Sequence, residues 1–245
     1  TEPVPTRDHT ERMLTGFGVQ LQRQGATVGI AGGQRLAATH IEVPADISSA
    51  AFFLVAGALA AHEGLVLRNV GVNPTRTGIL DILRLMGADI RIENRRESGG
   101  EPSADLTVRA SRLRGVRIPE ALVPLAIDEF PVLFIAAAAA EGVTELTGAE
   151  ELRVKETDRL AVMAEGLGRL GVRHELRPDG IRIEGGPLRG GTIDSQGDHR
   201  IAMAFAVASL RAKAPLEILD VANVATSFPD FVPLARTAGL AISQD

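Results

Sequence analysis

Three apolar, alanine-rich segments recur along this chain, and each begins at an aspartate. Asp46 precedes Ile47-Ser48-Ser49-Ala50-Ala51-Phe52-Phe53-Leu54-Val55-Ala56. Asp128 precedes Glu129-Phe130-Pro131-Val132-Leu133-Phe134-Ile135 and the run Ala136 to Ala140. Asp198 precedes His199-Arg200-Ile201-Ala202-Met203-Ala204-Phe205-Ala206-Val207-Ala208. Asp is a favoured helix N-cap, and Pro131 is tolerable in a first turn. Helices apolar on nearly every face are predicted to be buried. An amphipathic segment follows each of them and ends in a glycine ahead of a strand-like run, at Gly87, Gly171 and Gly239. Glycine there reads as a left-handed C-cap. Asp46 to Gly87, Asp128 to Gly171 and Asp198 to Gly239 span 41, 43 and 41 residues. Near-equal spacing of this kind marks an internal repeat.

Strand-like runs lie between the helices at Gly64 to Asn69, Ile90 to Glu93, Leu106 to Arg109, Val143 to Leu146, Ile181 to Glu184 and Leu216 to Leu219. Each unit reads as helix, strand, helix, strand, with further strand pieces between. The polar stretch Glu97 to Pro102 reads as a loop inside the first unit. The front of the chain, Thr6-Arg7-Asp8-His9-Thr10-Glu11 with Met13, Leu14, Phe17 and the strand-like Val19-Gln20-Leu21, reads as the second half of a unit whose first helix lies upstream. The expected organisation is a tail of an incomplete lobe over residues 1–43 and a lobe of three units over residues 44–245, with the boundary near Pro44.

Composition removes several function classes. The formal charge of −5 gives no reason to expect nucleic acid or an anionic membrane as partner. The absence of Cys excludes disulfides, thiolate catalysis and Cys-ligated metals. No apolar run approaches the roughly 18 residues of a membrane span. The opening Thr1-Glu2-Pro3-Val4-Pro5-Thr6 is neither a signal nor a transit peptide, and it lacks an initiator Met. Those features suit a cytoplasmic protein, processed or given as a fragment. No His/Asp/Glu spacing resembles a metal site, and Ser48-Ser49 has no base beside it in sequence.

Chemistry concentrates at the helix starts. Arg153-Val154-Lys155-Glu156-Thr157-Asp158-Arg159 holds three cations and two carboxylates, and the helical spacing of Leu160, Val162, Met163, Leu167 and Leu170 follows at once. The run therefore sits on a loop and a first turn. It reads either as a solvated face of local ion pairs or as an anion site at a helix N-terminus. The other amphipathic starts are Asn73-Pro74-Thr75-Arg76-Thr77 and Thr226-Ser227-Phe228-Pro229-Asp230. If the units pack around a pseudo-threefold, six helix starts face one way and attract a multiply anionic small molecule. Asp128 reads as an N-cap or as a carboxylate at the mouth of that site. Glu156 reads as an ion-pair partner or as a general acid–base group. Of five histidines, His199 alone lies in a strongly charged helix start; His9 is in a similar but weaker setting, and His40, His62 and His174 look like surface residues.

Arg153 to Arg159, Gly197-Asp198-His199-Arg200-Ile201-Ala202-Met203, Asn73-Pro74-Thr75-Arg76 and Asp46-Ile47-Ser48-Ser49-Ala50 together resemble 5-enolpyruvylshikimate-3-phosphate synthases. Thr6 to Glu11 and Ser227-Phe228-Pro229 fit the same family, so the match runs from about residue 6 to about residue 240. The charged heptapeptide and the Asp-His-Arg motif are specific in combination; Asp-Ile-Ser-Ser-Ala alone is weak. The resemblance implies an α/β fold of two inside-out barrel lobes, each of three βαβαββ units about a pseudo-threefold with buried helices in the centre. It implies transfer of the enolpyruvyl group of phosphoenolpyruvate to the 5-hydroxyl of shikimate 3-phosphate, with no cofactor. It implies that a first lobe carrying further substrate ligands is absent here, which leaves the chain inactive alone. Carried over by position, Asp128 matches the carboxylate on the substrate hydroxyl, and Lys155 and Glu156 match the Lys-Glu pair. Arg159, His199 and Arg200 match phosphoenolpyruvate ligands, and Thr6 and Arg7 match contacts to the shikimate phosphate. Asp128, Lys155 and Glu156 are thereby the expected catalytic residues. Three positions depart from the pattern: Ala45 replaces a usual Gly, Glu151 an Asn, and Thr226 a phosphate-binding Lys. A nucleotide-sugar enolpyruvyl transferase and a non-catalytic anion-binding module remain as alternatives.

Overall fold

A computed structural model describes residues 5–243; of the opening hexapeptide only Pro5 and Thr6 fall within it. The chain starts with α1 (His9–Gly16) and an antiparallel hairpin of β1 (Leu21–Gln24) and β2 (Thr27–Ile30). The chain then runs α2 (Ile47–Ala60), β3 (Leu65–Gly71), α3 (Gly78–Leu85), β4 (Asp89–Ser98), β5 (Glu101–Arg109). The same order of helix, strand, helix and two strands follows with α4 (Phe130–Ala139), β6 (Val143–Leu146), α5 (Arg159–Arg169), β7 (Arg173–Arg177), β8 (Gly180–Glu184). Last come β9 (Gly191–Asp194), α6 (His199–Ala208), β10 (Leu216–Leu219), a short α7 (Ala222–Ser227) and α8 (Phe231–Thr237).

The local structure follows the sequence logic. α2, α4 and α6 contact one another pairwise and are buried along nearly their whole length. Phe130, Phe134 and Phe205 are fully buried among them, each stabilising the core by about 1.5–3 kcal/mol relative to exposure. α3 and α5 lie outside with one apolar face inward: Ile79, Leu80, Ile82 and Leu83 on α3, Leu160, Met163 and Leu167 on α5. Gly87 and Gly171, at φ 93° and 78°, end these helices in the left-handed region that a side chain would strain.

Two three-stranded antiparallel sheets have the orders β3-β5-β4 and β6-β8-β7. β9 and β10 pair in parallel around α6. Ala45 bridges Val70 in the same parallel sense around α2, and Arg117 bridges Glu145 around α4. Each buried helix thus connects two parallel pieces of strand.

Four expectations need correction. Among the described residues no strand follows Gly239, where one was expected. Asp128 is not an N-cap; Glu129 occupies that place without a side-chain cap, because the Asp128 carboxylate is taken up by cations described below. Thr226 and Ser227 end α7 instead of starting α8. The stretch Glu97 to Pro102 is a tight hairpin tip, with Ser98 opposite Glu101 and both Gly99 and Gly100 at positive φ, as a two-residue primed turn requires. Residues 9–30 are helix and hairpin, and α1 packs on β5. A Cβ on Gly16 would fall 2.5 Å from the Gly99 carbonyl oxygen, so backbone meets backbone where α1 docks on that turn.

Candidate active site

The starts of five helices are tied together by polar side chains. Lys155 Nζ lies 3.5 Å, and Arg159 Nη1 3.6 Å, from Asp128 Oδ1. Arg7 Nη2 donates to Asp128 Oδ2 at 2.8 Å, and Arg200 Nη1 donates to the Asp128 carbonyl at 3.3 Å. Arg159 Nε donates to Asp198 Oδ2 at 2.8 Å, and Arg159 Nη2 to Glu156 Oε2 at 2.5 Å. These contacts join α4, α5 and α6. A further set joins α2, α3 and α4: Arg76 Nη2 donates to Ser48 Oγ at 2.6 Å and lies 3.5 Å from Glu129 Oε1, to which the Ser48 hydroxyl also donates. No hydrogen bond or ion pair ties α8, or Thr226 on α7, to this group among the described residues. Five helix starts converge in this way, where six were expected.

Local sequence explains each placement. Asp198 caps α6, its Oδ1 accepting from the Arg200 and Ile201 N–H groups; this turns Arg200 toward Asp128. Asp158 caps α5 through Ala161 N–H and also holds Arg153 Nη1 at 2.7 Å. Arg153 donates in addition to the carbonyls of Pro178 and Arg177, at 2.6 Å each. The loop 154–157 is therefore pinned at one end to the β7–β8 turn by Arg153 and closed at the other by the Arg153–Asp158 pair. Lys155 and Glu156 sit on that loop, and Arg159 is the first residue of α5. Glu151 pairs with Lys155 at 2.6 Å. Thr6 donates to the Pro124 carbonyl at 3.4 Å. Arg7 has φ 51°, a left-handed conformation that costs a non-glycine residue about 1 kcal/mol. Its neighbours on both sides are bonded to the body of the chain, which is how such a conformation persists.

Burial sorts the charges. Arg159 is 1% exposed and Asp198 0%, so they form a desolvated pair, whereas the side chain of Glu156 is 52% exposed. Arg159 Nη1 is buried and has no hydrogen-bond partner among the described residues. Burial pushes the Asp128 carboxyl up, but Arg200, Arg7 and Lys155 outweigh it and hold the group at about 2. Burial likewise raises Asp198, and its bonds to Arg159 bring it below the usual range. Burial, then the neighbouring Arg200, lowers His199 and favours its neutral form. Burial raises Glu129, with Ser48 and Arg76 opposing. Four cations thus face one ionised carboxylate, and one of them carries a spare donor. The arrangement suits a small, multiply charged anion.

All eight residues singled out in the sequence lie on or beside this group, Thr6 and His199 at its edge. Sequence reading missed Glu129, Ser48, Asp8 and Arg153 as members of the network. All four stood inside quoted motifs, but no spacing rule brings Ser48 to Glu129 across α2 and α4. Among the described residues no group of His, Asp and Glu could hold a metal ion, and no helix is long and apolar enough to cross a membrane.

Comparison with known proteins decides the family. The model of the EPSP synthase (3-phosphoshikimate 1-carboxyvinyltransferase) family matches residues 1–234. The chain belongs to the EPSP synthase family. A 3-phosphoshikimate 1-carboxyvinyltransferase of Alkalilimnicola ehrlichii is 65% identical over 245 residues, all of this chain and 55% of that protein. The one from Methylococcus capsulatus is 64% identical over 242 residues, 99% of this chain and 55% of that protein. An EPSP synthase structure from Acinetobacter baumannii superposes with a TM-score of 0.95 at 54% identity, over 99% of this chain and 57% of that one. The enolpyruvyl transferase NikO from Streptomyces tendae, at 20% identity and a TM-score of 0.67, shares the fold alone. The chain spans about half the length of the EPSP synthases it matches.

Proposed function

We propose that this chain supplies one half of a 3-phosphoshikimate 1-carboxyvinyltransferase. The reaction joins C2 of phosphoenolpyruvate to the 5-oxygen of shikimate 3-phosphate while the methylene carbon gains a proton. Phosphate then leaves and the methyl group returns a proton, so a vinyl ether remains. In this reading residues 44–245 are a lobe of three units around the central helices, an inside-out barrel about a pseudo-threefold. Residues 1–43 belong to a second lobe completed by sequence found upstream in the relatives.

The observation that carries the reading is the convergence of Arg7, Lys155, Arg159 and Arg200 on Asp128, with the spare buried donor of Arg159 among them. Two phosphorylated carboxylates need several cations held by protein and sheltered from water. Arg159 and Arg200 clamp phosphoenolpyruvate, neutral His199 hydrogen-bonds the same group, and Thr6 and Arg7 take the shikimate phosphate. Asp128 accepts the 5-hydroxyl. A carboxylate held at about 2 is a weak base. Its proton affinity rises when the substrate phosphate draws Arg7 away, so substrate binding itself prepares the base. The more exposed Glu156, held by Arg159, exchanges the proton with the methylene carbon, and Lys155, paired with Asp128 and Glu151 instead of Glu156, holds the substrate oxygens.

Phosphate release is the test. The chain is assayed with phosphoenolpyruvate and shikimate 3-phosphate, alone and mixed with the upstream half from a relative. Turnover only in the mixture is expected, because the site needs both halves to orient two substrates. Full turnover by the chain alone refutes the half-site reading. Turnover with a nucleotide sugar as acceptor, but not with shikimate 3-phosphate, refutes the substrate assignment.

A further inference from the structure

Two sequence motifs take no part in the proposed chemistry, yet their polar side chains are buried: Asn73 is 2% and Ser48 3% exposed. The turn that contains Asn73-Pro74-Thr75-Arg76 reaches both members of the Arg7–Asp128 pair. Toward Arg7, Asn73 Nδ2 donates to Asp8 Oδ1 at 2.8 Å, and the Thr75 hydroxyl accepts from Asp8 N–H at 3.3 Å. The Asn73 side chain is itself fixed, its Oδ1 accepting the N–H and the hydroxyl of Thr75 at 2.9 Å each. Asp8 directly follows Arg7, so these bonds set the left-handed backbone that aims the Arg7 guanidinium. Toward Asp128, Arg76 holds Ser48 and both hold Glu129. Glu129 directly follows Asp128 and is 2% exposed, so it anchors the backbone from which the Asp128 carboxylate projects.

We infer that the turn Asn73–Arg76 is the positioning element that holds Arg7 and Asp128 face to face. One arm, Asn73 and Thr75, registers the segment before α1; the other, Arg76 through Ser48 and Glu129, registers the start of α4. None of these residues touches the pair itself. The two arms leave one four-residue turn, so the separation of Arg7 and Asp128 is set by a single rigid piece of backbone. What the pair is used for rests on the proposed function; that the turn positions it does not.

The first test needs no activity. Rotation of the Arg7 guanidinium is read by nitrogen-15 NMR on this chain, since a bound carboxylate slows it. Thr75→Val removes one hydroxyl and keeps the shape; Ser48→Ala cuts the other arm. Both are expected to speed rotation toward the rate of an Asp128→Asn control, and Thr75→Ser to restore the slow rate. Unchanged rotation in both variants overturns the inference. If either variant loses its native spectrum, Arg76→Lys, which keeps the charge and loses the fork, takes its place. The second test uses the complete enzyme. Thr75→Val is expected to raise KM for shikimate 3-phosphate about tenfold, the loss of one well-placed charged contact, with kcat changed far less. In an Arg7→Ala background the same substitution is expected to add nothing, because both act through one contact. Effects that multiply overturn the inference. No turnover by the unmutated complete enzyme refutes the proposed function instead, and the NMR result stands independently.

Discussion

Replacing Arg159 by Met is expected to destabilise the chain severely, and by an amount the structure sets. Arg159 is 1% and Asp198 0% exposed, with Nε 2.8 Å from Oδ2. Met fills the space of the aliphatic stem, so the loss is electrostatic. Breaking a buried pair from one side costs about 3–5 kcal/mol, because the other charge stays behind. Asp198 keeps the Thr157 hydroxyl at 3.2 Å and the N–H groups of Arg200 and Ile201 at 2.9 and 3.4 Å, which places the cost at the lower end, about 3 kcal/mol. The lost contact to half-exposed Glu156 adds little. For a chain of this size about 3 kcal/mol lowers Tm by roughly 6–12 °C. Urea unfolding should show a lower midpoint at unchanged slope.

The pH dependence separates this mechanism from simple loss of packing. Burial raises Asp198 and the bonds to Arg159 bring it below the usual range. A depressed acid contributes stability above its unfolded value of about 3.9, lost as pH falls through the folded value. Without Arg159 burial prevails and the folded value rises above the unfolded one. The native state of Arg159→Met then takes up the proton first, so its deficit narrows between about pH 7 and 4. Adding Asp198→Asn removes the stranded charge and keeps a good N-cap, so the double variant should recover most of the loss. A deficit independent of pH, or a double variant no more stable than the single one, refutes the reasoning.

Arg7→Ala should flatten the acid limb of the stability profile. Arg200, Arg7 and Lys155 hold Asp128 at about 2 in the folded chain against near 3.9 unfolded, so it contributes stability above about pH 4 that is lost toward pH 2; Arg200 and Lys155 keep part of that contribution in the variant, and the depressed acids Asp8, Asp105 and Asp198 supply the rest of the limb. Gly166→Ala should destabilise by about 1–3 kcal/mol, since a Cβ there would meet the Phe205 ring; equilibrium unfolding at wild-type stability would show that the contact between α5 and α6 yields. In the complete enzyme Glu156→Gln should lower kcat far more than it changes either KM, and normal turnover would remove Glu156 from proton transfer. Arg200→Ala should weaken phosphoenolpyruvate binding roughly ten- to a hundredfold, the worth of one charge-assisted contact of about 1.5–3 kcal/mol, as a binding titration would read.

What was legible in the sequence depended on the range of the interaction. The buried helices announce themselves because every face must be apolar, and Val143 to Leu146 and Leu216 to Leu219 read as strands because each is a short run with apolar residues at both ends that starts just after a Gly or Pro. Arg173 to Arg177 was invisible, being four polar residues and Leu176 on the edge of a sheet, where pairing to β8 supplies what the side chains do not. The charged residues were found because they crowd the helix starts. Their pairing was not, since Arg7 meets Asp128 across 121 positions and Ser48 meets Glu129 across 81. The role given to Asp128 shows why this matters. As an N-cap it would have spent its lone pairs on backbone N–H groups and stood as a structural carboxylate. The turn through Ala126 to Glu129 instead leaves the cap unmade and turns the carboxylate toward four cations from three distant segments. An acid that gives up its local partner in favour of distant ones breaks a local rule, as functional sites do, and the same displacement distinguishes Asp128 from Asp46 and Asp198, which both cap their helices. Of the three aspartates, Asp128 alone keeps its carboxylate off the helix N–H groups and on the side chains of distant cations.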